Sequence, residues 1–241
     1  MDIIDVNTLF GPLPVASVDL AVDALLTLMQ THQVKASCTL STLGLLLDPA
    51  IGNAATRAAC AEHPELIPVA TLNPTMFFGD TAPLERLSAD GFRMIRFFPI
   101  SQNWPLSYEP FRMLLESLKT SALPIMVDVA HQGDISALVH HMGTYPGAVI
   151  LSGVDASLLA ETLAALRNNA NWHVEISHLL SPGSIKLVAD SVGAERVLFG
   201  TGAPAQALAA AMNTLRYAGL PQPALEKILA TNARRILKLG N

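Results

Sequence analysis

The segment GFRMIRFFPISQNWPLSYEPFRMLLESLKTSALPIMVDV (residues 91–129) decides the fold class, because a strand, a helix and a second strand follow one another in it. Its first part, Arg93–Phe98, and its last part, Ile125–Val129, are short apolar runs of the kind that form buried strands. Between them, Tyr108–Leu118 has apolar residues at three- and four-residue spacing. This spacing predicts a helix whose buried stripe is Phe111, Leu114, Leu115 and Leu118. A helix between two such strands is a building unit of parallel sheets.

The same alternation of short strands and helices extends over the whole chain. Six further strands are predicted at Ile3–Asn7, Ala36–Leu40, Pro68–Leu72, Ala148–Ser152, Trp172–Ser177 and Arg196–Gly200. The helices between them include one with Ser17 as its predicted N-cap and one that Ser181 and Pro182 open. A closing helix is predicted over Ala224–Leu239.

Eight strand–helix units predict a single (β/α)8 barrel, of the TIM-barrel class, with residues 1–241 forming one domain. A doubly wound open sheet is the structural alternative. Such a sheet more often has fewer strands and a glycine-rich turn after the first strand, and the first turn here, Asn7–Pro12, has no such pattern. The barrel is therefore the favoured architecture.

The composition excludes several classes of protein. Apolar residues make up 51% of the 241 residues and charged residues 15%, so a large buried core is expected. The 15 basic and 20 acidic residues form no basic run, which argues against nucleic acid and membrane surfaces as partners. Cys38 and Cys60 do not make a disulfide framework or a zinc motif. We therefore expect a cytoplasmic protein whose partner is a small-molecule ligand or substrate, or a second copy in a homo-oligomer.

The chemistry of a (β/α)8 barrel is expected at the carboxyl-terminal ends of its strands. The predicted strands place eight candidate site residues there. The candidate catalytic residues are Asp128, His131, His178 and Glu175, and the candidate substrate-binding residues are Arg96, Asn7, Thr201 and Asn73. Asp5, in the first strand, is expected to make structural hydrogen bonds in the barrel interior instead.

Five segments, in order across residues 3 to 237, carry a resemblance to a known family. They are Ile4–Leu9, Gly91–Pro99, Leu123–Val127, Arg196–Pro204 and Lys227–Leu237. Together they resemble the corresponding strands and the closing helix of the amidohydrolase-related family. The resemblance implies a barrel like those of metal-dependent hydrolases and decarboxylases. In that family a divalent metal, typically zinc, lowers the pKa of bound water or polarises a carbonyl or carboxylate group.

The sequence departs from this family at the metal ligands. The family uses two first-strand histidines, histidines after strands five and six, and an aspartate at strand eight. The corresponding positions hold Asn7, Leu9, Asp128, Gly153 (Ser152 if the register is one residue earlier) and Gly202. Asp128 alone is a good ligand, and one carboxylate does not make a metal site. The expectation is therefore that the family's metal is not held, and that no other cofactor is needed.

Two alternatives use the polar groups that remain. Asp128, His131, Glu175 and His178 could rebuild a different metal site, which is the minority interpretation. The same residues could instead form a carboxylate–imidazole pair, either Asp128 with His131 or Glu175 with His178, for metal-free acid–base chemistry.

A third alternative is anion binding at helix N-termini. The turns at Ser181–Ser184 and Gly200–Pro204 follow strands seven and eight, where barrels often bind phosphate. Arg96 could add a two-pronged contact to a carboxylate. Proline at positions 182 and 204 removes two amide donors, which weakens this hypothesis.

The resulting functional hypothesis is a hydrolase- or decarboxylase-like protein that acts on a small anionic or carbonyl-containing metabolite, with the metal site lost or replaced. Asp128 is the expected acid or base, assisted by His131 or His178. Arg96 is expected to orient an anionic substrate. The alternative is a non-catalytic barrel that binds a ligand or serves in assembly, in which apolar side chains such as Leu9 and Phe98 would fill the pocket.

Overall fold

The computed structural model describes residues 1–14 and 19–240, and they form a barrel of eight parallel strands in sequential order. The strands are β1 Ile4–Phe10, β2 Ala36–Ser41, β3 Leu66–Thr71, β4 Met94–Phe97, β5 Ile125–Asp128, β6 Val149–Ser152, β7 Trp172–Glu175 and β8 Val197–Leu198. Backbone bonds from Val6 N to Phe199 O and from Leu9 N to Ala203 O, both 2.9 Å, bring β8 back to β1. The predicted (β/α)8 barrel is confirmed.

Helices follow the strands around the outside of the barrel. They are α1 Val22–Thr31, α2 Thr42–Leu46, α3 Pro49–Glu62, α4 Ala82–Arg86, α5 Glu109–Leu118, α6 Asp134–Met142, α7 Leu159–Asn168, α8 Pro182–Val192, α9 Leu208–Arg216, α10 Gln222–Glu226 and α11 Asn232–Leu237. The predicted stripe of α5 is buried as expected, whereas Ser17, the predicted cap of the first helix, lies outside the described residues. Within the two described ranges, no helix combines the length and the apolar character needed to cross a bilayer.

The predicted closing helix over Ala224–Leu239 is divided into three parts. A π-helical turn at Lys227–Thr231 separates α10 from α11. The wider turn directs the Ile228 carbonyl to the backbone of the barrel, where Phe199 N donates to it at 3.1 Å. Asn232 Nδ2 also donates to the Val197 carbonyl at 2.8 Å. The irregular turn thus allows the closing helix to form hydrogen bonds with β8 and with the residue that follows it.

Alternation along the strands places the candidate site. Met94, Met126 and Ile150 belong to the apolar cluster inside the barrel, while the residue that follows each of them packs in the outer cluster against the helices. Because side chains alternate between the two faces of a strand, the next inward positions are two residues further on. These positions are Arg96, Asp128 and Ser152, at or near the carboxyl ends of β4, β5 and β6.

Two glycines let α2 and α3 approach each other backbone to backbone. A methyl group added at Gly52 would lie 2.1 Å from Gly44 N and 2.2 Å from Gly44 Cα. Neither atom can move without displacing a helix. We therefore expect Gly52→Ala to lower the free energy of unfolding by about 2 kcal/mol, because overpacking costs about 1–3 kcal/mol and the gain in helix propensity offsets only part of it.

Urea denaturation followed by circular dichroism measures this loss. The matched control is Gly183→Ala in the first turn of α8, where the added methyl group finds Ser181 Oγ at 3.6 Å, an ordinary contact. The control is expected to be neutral or slightly stabilising. Equal stability of the two variants would contradict the tight packing of α2 on α3.

Candidate functional site

Arg96 lies at the centre of a buried polar network at the carboxyl end of the barrel. Its Nε and Nη2 atoms donate to Asp128 Oδ1 at 3.1 and 3.0 Å, and Nη2 also lies 3.3 Å from Asp128 Oδ2. Its Nη1 atom donates to Asn7 Oδ1 at 2.5 Å. The guanidinium carbon lies 4.5 Å from the centre of the Phe98 ring. The two-pronged carboxylate contact predicted for Arg96 is thus made inside the chain, to Asp128.

Asn7 connects this ion pair to a second carboxylate. Its Nδ2 atom donates to Glu175 Oε1 at 3.3 Å, and it also lies 3.5 Å from Ser152 Oγ. Because the amide oxygen accepts from Arg96 and the amide nitrogen donates to Glu175, the network fixes which way the amide group points. Arg96 and Glu175 therefore lie on opposite sides of one asparagine.

Glu175 is fully buried, and Ser177 provides most of its hydrogen bonds. Ser177 N donates to Glu175 Oε2 at 2.7 Å and Ser177 Oγ donates to Glu175 Oε1 at 2.8 Å. Such direct donors compensate for the cost of burying a carboxylate. Gly200 leaves room for this carboxylate, since a methyl group there would lie 2.3 Å from Glu175 Oε2.

His178 is the exposed end of the network. Its Nδ1 atom lies 3.0 Å from Ser177 Oγ, and its Nε2 atom lies 3.1 Å from Gln206 Nε2. Since the Ser177 hydroxyl donates to Glu175, the Nδ1–H group donates to Ser177 and Nε2 accepts from Gln206. This assignment leaves the lone pair of His178 at Nε2, on the solvent side.

Asp5 forms a separate structural centre between β1 and the segment after β8. It accepts hydrogen bonds from Asn7 N at 3.0 Å, from Thr201 N at 3.1 Å and from the Thr201 hydroxyl. Burial raises the pKa of Asp5 to about 7, although these hydrogen bonds lower it. The expectation that Asp5 has a structural role agrees with this geometry.

The structure brings together most, but not all, of the candidate residues. Asn7, Arg96, Asp128, Glu175 and His178 are linked by the contacts above. Thr201, Asn73 and His131 lie outside these links. The Thr201 amide and hydroxyl both donate to Asp5, while Gly202 N donates to Asn7 O, so the turn after β8 directs these donors inward. Anion binding by this turn is not supported.

Asn73 and His131 have other surroundings. The Asn73 side chain accepts from Thr75 N at 3.0 Å and caps a short 3-10 turn. His131 is exposed, and its backbone N–H donates to Asp134 Oδ2 at 2.9 Å. His131 lines a cavity of about 520 Å³ between the loops that follow β4 and β5, together with Pro99, Trp104, Leu106, Asp134 and Ala137.

The two predicted carboxylate–imidazole pairs are therefore corrected. Asp128 pairs with Arg96, and in the described ranges no hydrogen bond joins it to His131. Glu175 reaches His178 only through Ser177.

The sequence prediction omitted Gln206, because this residue lies in an irregular segment beyond β8 where no periodicity indicates its position. Ser152 and Ser177 are not among the eight candidates, although both follow inward-facing residues at two-residue spacing, which places them at the same end of the barrel.

The residues at the family's ligand positions do not fit a divalent metal. In residues 1–14 and 19–240, no three His, Cys, Asp or Glu side chains come together in a group that could hold one. Asp128 is the one carboxylate at those positions, and it already accepts hydrogen bonds from the Arg96 guanidinium. The Asn7 amide oxygen also accepts from Arg96. Such a donor set suits a guanidinium group and not zinc.

Comparison with solved structures shows the same fold over the whole chain. A candidate 2-pyrone-4,6-dicarboxylic acid hydrolase from Pseudomonas putida has a TM-score of 0.81 at 18% identity, with 99% of this chain and 98% of that chain covered. The 2,6-dihydroxybenzoate decarboxylase from Rhizobium has a TM-score of 0.76 at 15% identity, with 99% and 98% covered. No protein of curated function matches the sequence.

The sequence itself identifies the family. The family model described as amidohydrolase matches residues 49–239, which is more than half of the chain and includes six of the eight strands. The resemblance seen in the sequence motifs is therefore confirmed, and the chain belongs to the amidohydrolase family.

Proposed function

We propose that the chain is a hydrolase of a small carbonyl-containing metabolite, an ester or a lactone, and that it works at the barrel mouth without a divalent metal. The observation that carries the proposal is the position of His178. This imidazole is exposed, while Ser177 and Gln206 hold its two ring nitrogens at 3.0 and 3.1 Å. A histidine with a fixed tautomer, whose lone pair lies on the solvent side and is held by a neutral amide, is suited to general base catalysis.

In the proposed reaction His178 accepts one proton and later returns it. Water first replaces the Gln206 amide as the partner of Nε2. The Nε2 atom then takes a proton from this water as the water oxygen bonds to the carbonyl carbon. The bond from that carbon to the leaving oxygen then breaks, and His178 returns the proton to the leaving oxygen. Ser177, which connects His178 to the buried Glu175 carboxylate, orients the imidazole.

The charges of the network favour a carbonyl group over a strongly anionic substrate. Within the linked residues that the structure describes, Arg96 is the one permanent cation, and Asp128 neutralises it at 3.0 Å. Glu175 adds a second carboxylate without a cationic partner of its own. A dicarboxylate would meet this negative charge, so we propose a neutral or singly charged substrate, unlike the dicarboxylic acid named for the Pseudomonas putida protein.

A panel of small aryl esters and lactones tests the proposal on protein treated with a chelator. We expect hydrolysis that survives the chelator and falls by about 100-fold or more in His178→Asn, because a general base contributes typically 10²–10⁴-fold. The control is His140→Asn, which changes an exposed histidine on α6 outside the network and should leave the rate unchanged. Equal rates for the two variants would reject His178 as the base.

A non-catalytic binding protein is the second candidate function, and one observation favours it. The hydrogen-bonding groups of Arg96, Asn7 and Glu175 are largely satisfied by one another, as in a structural network. Phe98 is buried against the guanidinium. A ligand from the panel that raises the melting temperature without being turned over would support this function.

A further inference from the structure

The Arg96 side chain contacts three of the four strands that carry metal ligands in the related family, namely β1, β5 and β6. Its guanidinium group lies 2.5 Å from Asn7 Oδ1 on β1, 3.0 Å from Asp128 Oδ1 on β5 and 3.5 Å from Ser152 Oγ on β6. The inward alternation of β6 selects Ser152, two residues after Ile150, over Gly153 as the residue that faces the barrel interior. One cation thus joins three strands around the barrel axis.

The Arg96 guanidinium is a buried charge that hydrogen-bond acceptors surround. The Arg96 side chain is 8% exposed and its carboxylate partner 23% exposed. A buried cation of this kind is stable only when acceptors surround it, and here it has a carboxylate, an amide oxygen and a hydroxyl oxygen. The Phe98 ring covers one face of the guanidinium group. Each of these partners suits a planar group with several N–H donors.

We propose that the Arg96 guanidinium is the resident cation of this barrel and takes the structural place of a metal ion between β1, β5 and β6. It holds Asn7, Asp128 and Ser152 together as a bound ion would. The site is therefore selective for a guanidinium group. Shortening Arg96 is expected to leave a cavity that binds a free guanidinium ion and does not bind zinc tightly.

Chemical rescue tests this proposal through stability, so its result is independent of the proposed hydrolysis. Removing one partner of a buried ion pair is strongly destabilising, and we expect Arg96→Ala to lower the melting temperature by about 10 °C. Methylguanidinium at ten times its Kd for the cavity should then restore about 4 °C. Sodium chloride at the same ionic strength should restore nothing.

Three controls keep the result interpretable. Methylguanidinium should not raise the melting temperature of the unmodified protein or of Arg112→Ala, whose guanidinium is exposed and paired with Glu109 on α5. If Arg96→Ala does not fold in buffer, the same comparison is made as the yield of folded protein on dialysis with and without methylguanidinium. Arg96→Lys, which keeps the charge but has fewer donors, should fold with an intermediate melting temperature.

Metal binding provides the opposing outcome. Calorimetric titration of the chelator-treated, unmodified protein with zinc should show no saturable one-to-one binding. Tight one-to-one zinc binding with Arg96 in place would overturn the proposal, and so would an Arg96→Ala variant that methylguanidinium fails to stabilise. Rescue specific to Arg96→Ala, together with weak zinc binding, would establish the arginine as the cation of the site.

Discussion

Asp5→Asn is expected to remove a pH dependence worth about 4 kcal/mol from the stability of this protein. Burial raises the pKa of Asp5 from 3.8 to about 7, in spite of the hydrogen bonds from Thr201 and Asn7. A difference of about 3 units between the unfolded and folded chains corresponds to about 4 kcal/mol, since each unit is worth about 1.4 kcal/mol.

The sign follows from proton binding. Between pH 4 and pH 7 the folded chain keeps its proton on Asp5 while the unfolded chain has lost it, so the folded state binds more protons. The stabilising contribution of this group is therefore complete below pH 4 and is lost as the pH rises through 7. The amide that replaces the carboxyl group in the variant cannot titrate. The stability of the variant relative to the unmodified protein should thus increase by about 4 kcal/mol from pH 4 to pH 8.

Urea denaturation at unit intervals of pH measures this difference directly, whatever the stability of the variant at any single pH. Thr201→Val provides a second measurement. The Thr201 hydroxyl donates to Asp5 and lowers the pKa of Asp5, and the variant removes this hydroxyl, so the pKa should rise further. We expect a steeper pH dependence in Thr201→Val than in Thr201→Ser, which keeps the hydroxyl. A constant difference between Asp5→Asn and the unmodified protein would mean that the three donors keep Asp5 ionised throughout.

The fold could be predicted from local patterns, because a barrel of parallel strands is encoded by short apolar runs that alternate with amphipathic helices. The run at Ile125–Asp128 and the stripe of α5 are recognisable without knowing what they pack against. The division of the closing helix was missed for the opposite reason. Its π-helical turn depends on a bond from Phe199 to Ile228, which lies on a different segment.

The candidate site could be predicted only as a set of residues, because the partner of each residue depends on contacts distant in sequence. Arg96 and Asn7 are 89 residues apart, and Asn7 and Glu175 are 168 apart. His131 lies only three residues beyond Asp128, but Asp134 accepts from the His131 amide and fixes the loop in which it lies. Nearness in sequence therefore suggested a pair that the structure does not form.

Gly200→Ala is expected to be among the most destabilising single-methyl changes at the site. The added methyl group would lie 2.3 Å from Glu175 Oε2 and 3.1 Å from Asn7 Cβ, both in the buried network. Overpacking costs about 1–3 kcal/mol, and displacing the carboxylate from its donors adds about 1–3 kcal/mol for groups left unsatisfied. We expect a loss of about 4 kcal/mol in the free energy of unfolding, together with a loss of any activity that depends on His178.

A double-mutant cycle shows whether the carboxylate causes this loss. In Glu175→Ala the space next to position 200 is free, so adding Gly200→Ala should cost much less there than in the unmodified protein. We expect a coupling of about 2 kcal/mol, in the range measured for residues in contact. Glu175→Gln is the matched control because it keeps the size of the side chain and should relieve nothing. If the two substitutions are additive, the methyl group is accommodated by movement of the backbone, and the narrow space around Glu175 does not require glycine at position 200.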